Sequence, residues 1–267
     1  MDKGRTLKAS LLRAVRKRLP DIQMISYSPD DMTRRYHSSI RYRACIPLFD
    51  VLVTTKSYIA EELHELGARR VLFVGNAYEP RVHRPLELTP DEQRRFGCDV
   101  GFIGTYEEDR AEHLLRLAEA GVPVTIRGHG WNRYRGKSPL LMILDGHLGQ
   151  SDYVKVINAT RINLGFLRKG ARDRQTTRSI EIPGCRAFML AERTEEHTEL
   201  FVEGAEAEFF GSFEELLEKC RRYLDQPEAR ERIAAAGFER CRQSGYSNRS
   251  RLEQVLDVLA SLAGDTG

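Results

Sequence analysis

A chain of 267 residues with 41% hydrophobic and 30% charged residues carries enough apolar material for one large or two modest globular domains, which excludes a disordered or fibrous polypeptide. The formal net charge of +3 is too small to imply nucleic-acid binding, although Lys3, Arg5, Lys8, Arg13, Arg16, Lys17 and Arg18 crowd the start against Asp2 alone. Neither a membrane-length apolar run nor a hydrophobic signal core is present, and five scattered cysteines without a C-x-x-C pair argue for a reducing compartment, so a cytoplasmic location is expected.

The basic segment carries Leu7, Leu11, Leu12, Val15 and Leu19 at helical spacing and predicts a helix over 6–19. A weak contact of this helix with anionic lipid is compatible with its charge, but a solvated helix face is the simpler reading. A strand at Ile22–Tyr27, a helix after Thr33, a strand at Val51–Thr55, a helix over Ser57–Leu66 and a strand at Arg70–Val74 follow. The Pro-bearing segment from Tyr78 to Pro85 interrupts this rhythm, and 1–92 is expected to form one unit.

The alternation restarts at Asp99-Val-Gly-Phe-Ile-Gly104, with a helix to Ala120, a strand at Val122–Arg127, a looser stretch to about Gln150, a helix to Ala159 and a strand at Ile162–Phe166. Glu181 sits in a short helical segment that Pro183-Gly184 is expected to break. The buried-strand run Ala187–Ala191 comes next, and a second acidic helix opens at Thr194. A strand at 208–210 and three closing helices complete a unit over 93–267. Strands alternating with helices imply parallel α/β architecture with two Rossmann-like units, the first of them incomplete at about three strands.

Where helix starts and a carboxylate gather around one strand, phosphate and ribose can both be held, which predicts a nucleotide-sugar site around Arg178, Glu181 and Thr194. No G-x-G-x-x-G follows a predicted strand, so an NAD-type oxidoreductase is disfavoured.

Residues 20–262 resemble the CgeB-like glycosyltransferases, relatives of the two-Rossmann GT-B enzymes of glycosyltransferase group 1. The resemblance is carried by Tyr27-Ser-Pro-Asp-Asp31, Leu66-Gly-Ala68, His83-Arg-Pro85, Asp99–Gly104, Arg110, Gly128-His-Gly-Trp131, Arg178-Ser-Ile-Glu181 and Tyr223–Pro227. It implies transfer of a sugar from a nucleotide diphosphate donor to an unknown acceptor, a glycan, protein or small molecule, with the donor as substrate and no cofactor.

The resemblance also implies roles for single residues. Glu181 would hold the donor ribose, Asp173, eight residues earlier, would be a first acid near the sugar, and Arg110 and Arg178 would meet the diphosphate. Gly104 and Gly128 would let backbone approach the ligand, and Asp30, Asp31 or His83, on the first-unit side, would be the catalytic base. Plain structural readings stand beside these: Glu181 supporting a helix start, Asp31 capping a helix, His83 bonding within the linker, Trp131 packing. No Asp-x-Asp pair is present, so no essential metal is expected. Two features weigh towards a rival reading, a degenerate nucleotide-sugar-binding or assembly protein: the small first unit, and Arg186 where relatives commonly carry a small residue.

Overall fold

The computed structural model describes residues 6–264. Lys3 and Arg5 of the basic start lie outside them. The chain divides into two compact units, one made of Met1–Asn76 with Asn248–Gly267, the other of Ala77–Ser247. This differs from the expected boundary at residue 92. The Pro-bearing segment belongs to the second unit, and the last helix returns to the first.

In chain order the first unit holds α1 (Ala9–Arg18), β1 (Ile25–Ser28), α2 (Ile40–Arg43), β2 (Val51–Thr54), α3 (Ala60–Glu65) and β3 (Val71–Phe73). The second holds α4 (Pro90–Phe96), β4 (Cys98–Ile103), α5 (Glu108–Glu119), β5 (Val124–Arg127), β6 (Leu141–Leu144), α6 (Gln150–Ala159), β7 (Thr160–Gly165), α7 (Arg178–Gly184), β8 (Met189–Glu192), α8 (Glu195–Leu200), β9 (Glu208–Phe210), α9 (Phe213–Asp225) and α10 (Pro227–Gln243). The closing helix α11 (Asn248–Gly264) is part of the first unit.

In the first unit the parallel sheet runs β1-β2-β3, with Ile25 opposite Val51 and Leu52 opposite Val71. Val51 and Val53 on one face of β2 pack with Val74 and Val255 of α11, while Leu52 on the other meets a core of Leu12, Met24, Ile46 and Leu63. Burial on both faces is what an apolar run without alternation predicts. The helix expected after Thr33 is instead a turn, leading to the short α2 capped by Ser39, whose side chain accepts from the Tyr42 amide.

Six parallel strands in the order β6-β5-β4-β7-β8-β9 form the sheet of the second unit. The winding reverses between β4 and β7, so the loops after these two strands part and leave a crevice at their carboxyl ends, the place where open α/β sheets bind ligands. Beneath it lie Phe102, Ile126, Trp131, Ile162 and Phe166, each at most 1% exposed. Burying side chains of this size contributes about 2–3 kcal/mol apiece and fixes the strand ends.

Two elements of this unit stand where the sequence predicted none. α4 begins at a capping box, in which Thr89 accepts from the Glu92 amide while the Glu92 carboxylate accepts from the Thr89 amide. β6 lies on the sheet edge with Met142 and Leu144 exposed. Pro183-Gly184 ends α7 as expected: the two residues form its last positions, where the missing proline N–H removes only one ladder bond, and Cys185 is the C-cap. Arg186 is left-handed (φ 56°), its amide donating to Pro183 O and that of Ala187 to Ile182 O, a Schellman termination.

Candidate functional site

At the carboxyl end of β4 the chain turns sharply through Gly104. Gly128 (φ 153°), after β5, lies so close that a Cβ there would stand 2.0 Å from Gly104 O. The same carbonyl accepts from Trp131 Nε1 at 2.9 Å, and the Trp131 ring, fully buried, packs edge-on against Phe102 and Tyr106. Gly128 and Trp131 thus shape the β4 loop through backbone packing. This is the plain reading for the tryptophan.

That loop leads into α5, whose first turn places Arg110 back over the strand end. The guanidinium is 3% exposed, sits 5.4 Å above the Phe102 ring, and has Nη2 2.9 Å from Glu107 Oε1. Its Nε has no hydrogen-bond partner among the described residues, and Nη2 is not aligned to donate to Glu107. Burial pushes the Arg110 pKa down; Glu107 opposes this, and the charges of Arg178 and Arg168 add to it. Three arginines, from α5, the β7 loop and α7, therefore share one field at the switch point. Glu107 and Asp173 offset two of these charges, and Arg110 Nε still offers a donor to a further acceptor.

After β7, Arg168 Nε donates to Asp173 Oδ2 at 3.0 Å, and Asp173 is 8% exposed. Asp173 is thus an ion-pair partner fixing the β7 loop, rather than a carboxylate standing open in a polar run. On α7, Arg178 Nε is buried without a hydrogen-bond partner among the described residues. Glu181, one turn on, receives the Tyr153 hydroxyl on Oε2, while His83 Nε2 lies 3.7 Å from Oε1. The Glu79 amide is 3.1 Å from His83 Nδ1 and donates to it, which leaves the proton of a neutral ring on Nε2, facing the carboxylate. Burial, followed by the Glu181 charge, raises the Tyr153 pKa well above the usual range, so this phenol stays a donor.

The candidate bases are not gathered as expected. His83 belongs to the second unit, against Glu181, because the Pro-bearing segment packs there, rather than to the first-unit side. Asp31 is 2% exposed in the first unit; its Oδ1 accepts from the Thr33 amide at 3.1 Å and its Oδ2 lies 3.7 Å from Arg34. It closes a turn instead of capping a helix. Thr194 is the N-cap of α8, accepting from the His197 amide and donating to Arg174 O.

Several residues around the crevice carry no motif in the sequence. His197 is fully buried, and its Nδ1 is 2.6 Å from Glu192 O, an acceptor only, so Nδ1 holds the proton and Nε2 accepts from Ser179 Oγ at 2.7 Å. Burial lowers the His197 pKa and keeps the ring neutral. This bond chain ties α7 to the β8 loop. Glu192, at the end of β8, has its carboxyl pKa raised by burial and accepts weakly from the Leu167 amide. Acidic spacing along α8 is the one signal that hinted at this corner.

No curated protein matches the chain by sequence. Among solved structures, Anabaena HepE in complex with UDP and glucose is similar at a TM-score of 0.69 and 13% identity, over 95% of this chain and 76% of that one. The sucrose-phosphate synthase of Thermosynechococcus elongatus is similar at 0.68 and 11%, over 96% and 72%. A glycosyltransferase from Rickettsia africae is similar at 0.63 and 11%, over 94% and 79%. At these identities the likeness establishes the fold: α/β, with two Rossmann-like units of the GT-B type. A family profile described as Glycosyl transferase-like matches residues 110–257, from the buried arginine through β9 and into α11. With more than half of its length matched in this way, the chain belongs to the Glycosyl transferase-like family.

Proposed function

We propose that the protein is a glycosyltransferase whose donor is a sugar nucleoside diphosphate bound at the switch point of the second unit. The observation that carries this is Arg110, a buried guanidinium with an unpartnered Nε, flanked by Arg168 and Arg178. Glu107 offsets part of the cost of burying this cation, and a diphosphate would add charge and oxygens in bidentate geometry for the donor left without a partner. Glu181 faces the ribose hydroxyls and Gly104 lets the backbone approach the phosphates. Arginine neutralisation of the leaving diphosphate makes an essential metal unnecessary, and no cofactor enters the reaction. Five free thiols accord with a cytoplasmic location. Within the family, the order of the residue blocks from Tyr27 to Pro227 supports a CgeB-like membership.

Chemically, the acceptor hydroxyl loses its proton to a base as the sugar–phosphate bond breaks and positive charge grows on the ring. Arg110 and Arg178 stabilise the departing diphosphate, which is where negative charge develops. The three-stranded sheet of the first unit favours a second reading, in which the donor is bound and not turned over. Release of nucleoside diphosphate from UDP-glucose, GDP-mannose, dTDP-glucose and ADP-glucose separates the two. With no acceptor added, water takes the sugar, and slow release from one donor, abolished in Arg110→Gln, is expected; saturable binding without release even to water would assign the protein to the binding-only reading, and neither binding nor release would overturn both.

A further inference from the structure

The first unit carries a surface unconnected with the donor site. α1 has five basic residues in or next to it (Lys8, Arg13, Arg16, Lys17 and Arg18) and no acidic one. Beside it lies a groove of about 270 Å³ with an apolar floor of Leu12, Met24 and Leu48 and a rim that includes Arg13, Lys17 and Arg69. Asp50 is a shared counter-charge, 2.5 Å from Arg16 and 3.6 Å from Arg69. Among the described residues no carboxylate lies within ion-pair distance of Arg13, Lys17, Arg18 or Arg70, so the surface keeps a positive surplus. Leu11, Leu19 and Ile22 project from the same region at 55%, 53% and 36% exposure.

We propose that this face docks the protein on an anionic lipid bilayer. Two features of α1 and the turn that follows it select a lipid surface over a soluble polyanion. Surplus cations draw the helix to a negatively charged leaflet, and exposed leucines beside an apolar groove give the headgroup–acyl boundary something to bury, which a nucleic acid or an inorganic anion does not offer. A helix of ten residues, polar over most of its outer face, lies in the interface and does not cross it. The charge count predicts modest, salt-sensitive binding.

The test is co-sedimentation of the full chain with vesicles of phosphatidylcholine alone and of phosphatidylcholine mixed equally with phosphatidylglycerol. The protein is expected to partition onto the mixed vesicles only. The double variant Arg13→Gln/Lys17→Gln should lose roughly 25-fold in partitioning, about fivefold for each charge removed. Leu11→Ser/Leu19→Ser should lose several-fold, and Arg221→Gln/Arg222→Gln on α9 should lose nothing. Circular dichroism confirms that each variant is folded. Absence of binding to the mixed vesicles overturns the proposal, as does equal loss in the α9 variant, which would mean diffuse charge. Full binding by the leucine variant also overturns it, because the face would then read as a site for a soluble anion.

Discussion

Glu181 has both carboxylate oxygens addressed, one by the Tyr153 hydroxyl and the other faced by His83 Nε2, so its orientation is set before any ligand arrives. Preorganisation of this kind is worth most for a group that must grip two vicinal hydroxyls. Tyr153→Phe removes a charge-assisted hydrogen bond worth about 1.5 kcal/mol and is expected to weaken nucleotide affinity roughly tenfold in calorimetric titration while leaving the saturated turnover rate close to wild type. Unchanged affinity would mean that Tyr153 does not position the carboxylate. At the other end of the same helix, Arg186 holds a left-handed conformation that a glycine adopts without Cβ strain. Arg186→Gly should therefore stabilise the fold by about 1 kcal/mol in chemical denaturation, and a loss of stability would show that the exposed side chain contributes more than its backbone costs.

Among elements, the apolar runs of β2, β4, β7 and β8 were legible because burial on both faces leaves a continuous hydrophobic signal. β6 was not, because an edge strand of four residues alternates exposed and buried positions within a stretch of turn formers. The capping box of α4 was in the sequence as Thr89-Pro-Asp-Glu92, and its missing apolar stripe is what hid it. Glu181 and Arg178 were singled out as the start of the helix before β8 and Arg110 through the family resemblance, whereas nothing in the sequence marked Arg168. Tyr153, Ser179 and His197 were not, since the contacts joining α6, α7 and α8 come from packing that no local spacing encodes. Near the β9 end of the sheet, Arg193 pairs with Glu203 and Glu215, and Lys219 with Glu203, Glu208 and Glu215. The hydrogen bond from Arg193 leads in lowering the Glu215 pKa from its ordinary 4.5 to about 2. Its carboxylate then contributes stability in full above pH 4.5, and that contribution is lost as pH falls towards 2, because the unfolded chain takes up the proton first. Acid unfolding followed by circular dichroism should show a shallower decline over this window in Glu215→Gln; an identical acid limb would remove Glu215 from the account.

For the whole molecule, the division into two parallel α/β units was readable from the alternation of elements, and the place of their boundary was not. A proline-rich segment reads as a linker in one dimension, yet Tyr78, Val82 and Leu86 are built into the core of the second unit, and α11 closes the first unit from the far end of the sequence. This is why His83 stands beside Glu181. The central claim is that the second unit holds a nucleoside diphosphate through Arg110. Thermal unfolding of the wild type and of Arg110→Gln with UDP, GDP, dTDP and ADP tests it most directly, since a ligand selective for the folded state stabilises it by about 2.7 kcal/mol at a hundredfold excess over Kd. The midpoint should rise with one nucleotide, and the rise should disappear in Arg110→Gln, whose unliganded midpoint shows it to be folded. A wild type indifferent to all four nucleotides, or a shift that survives the substitution, would contradict the claim.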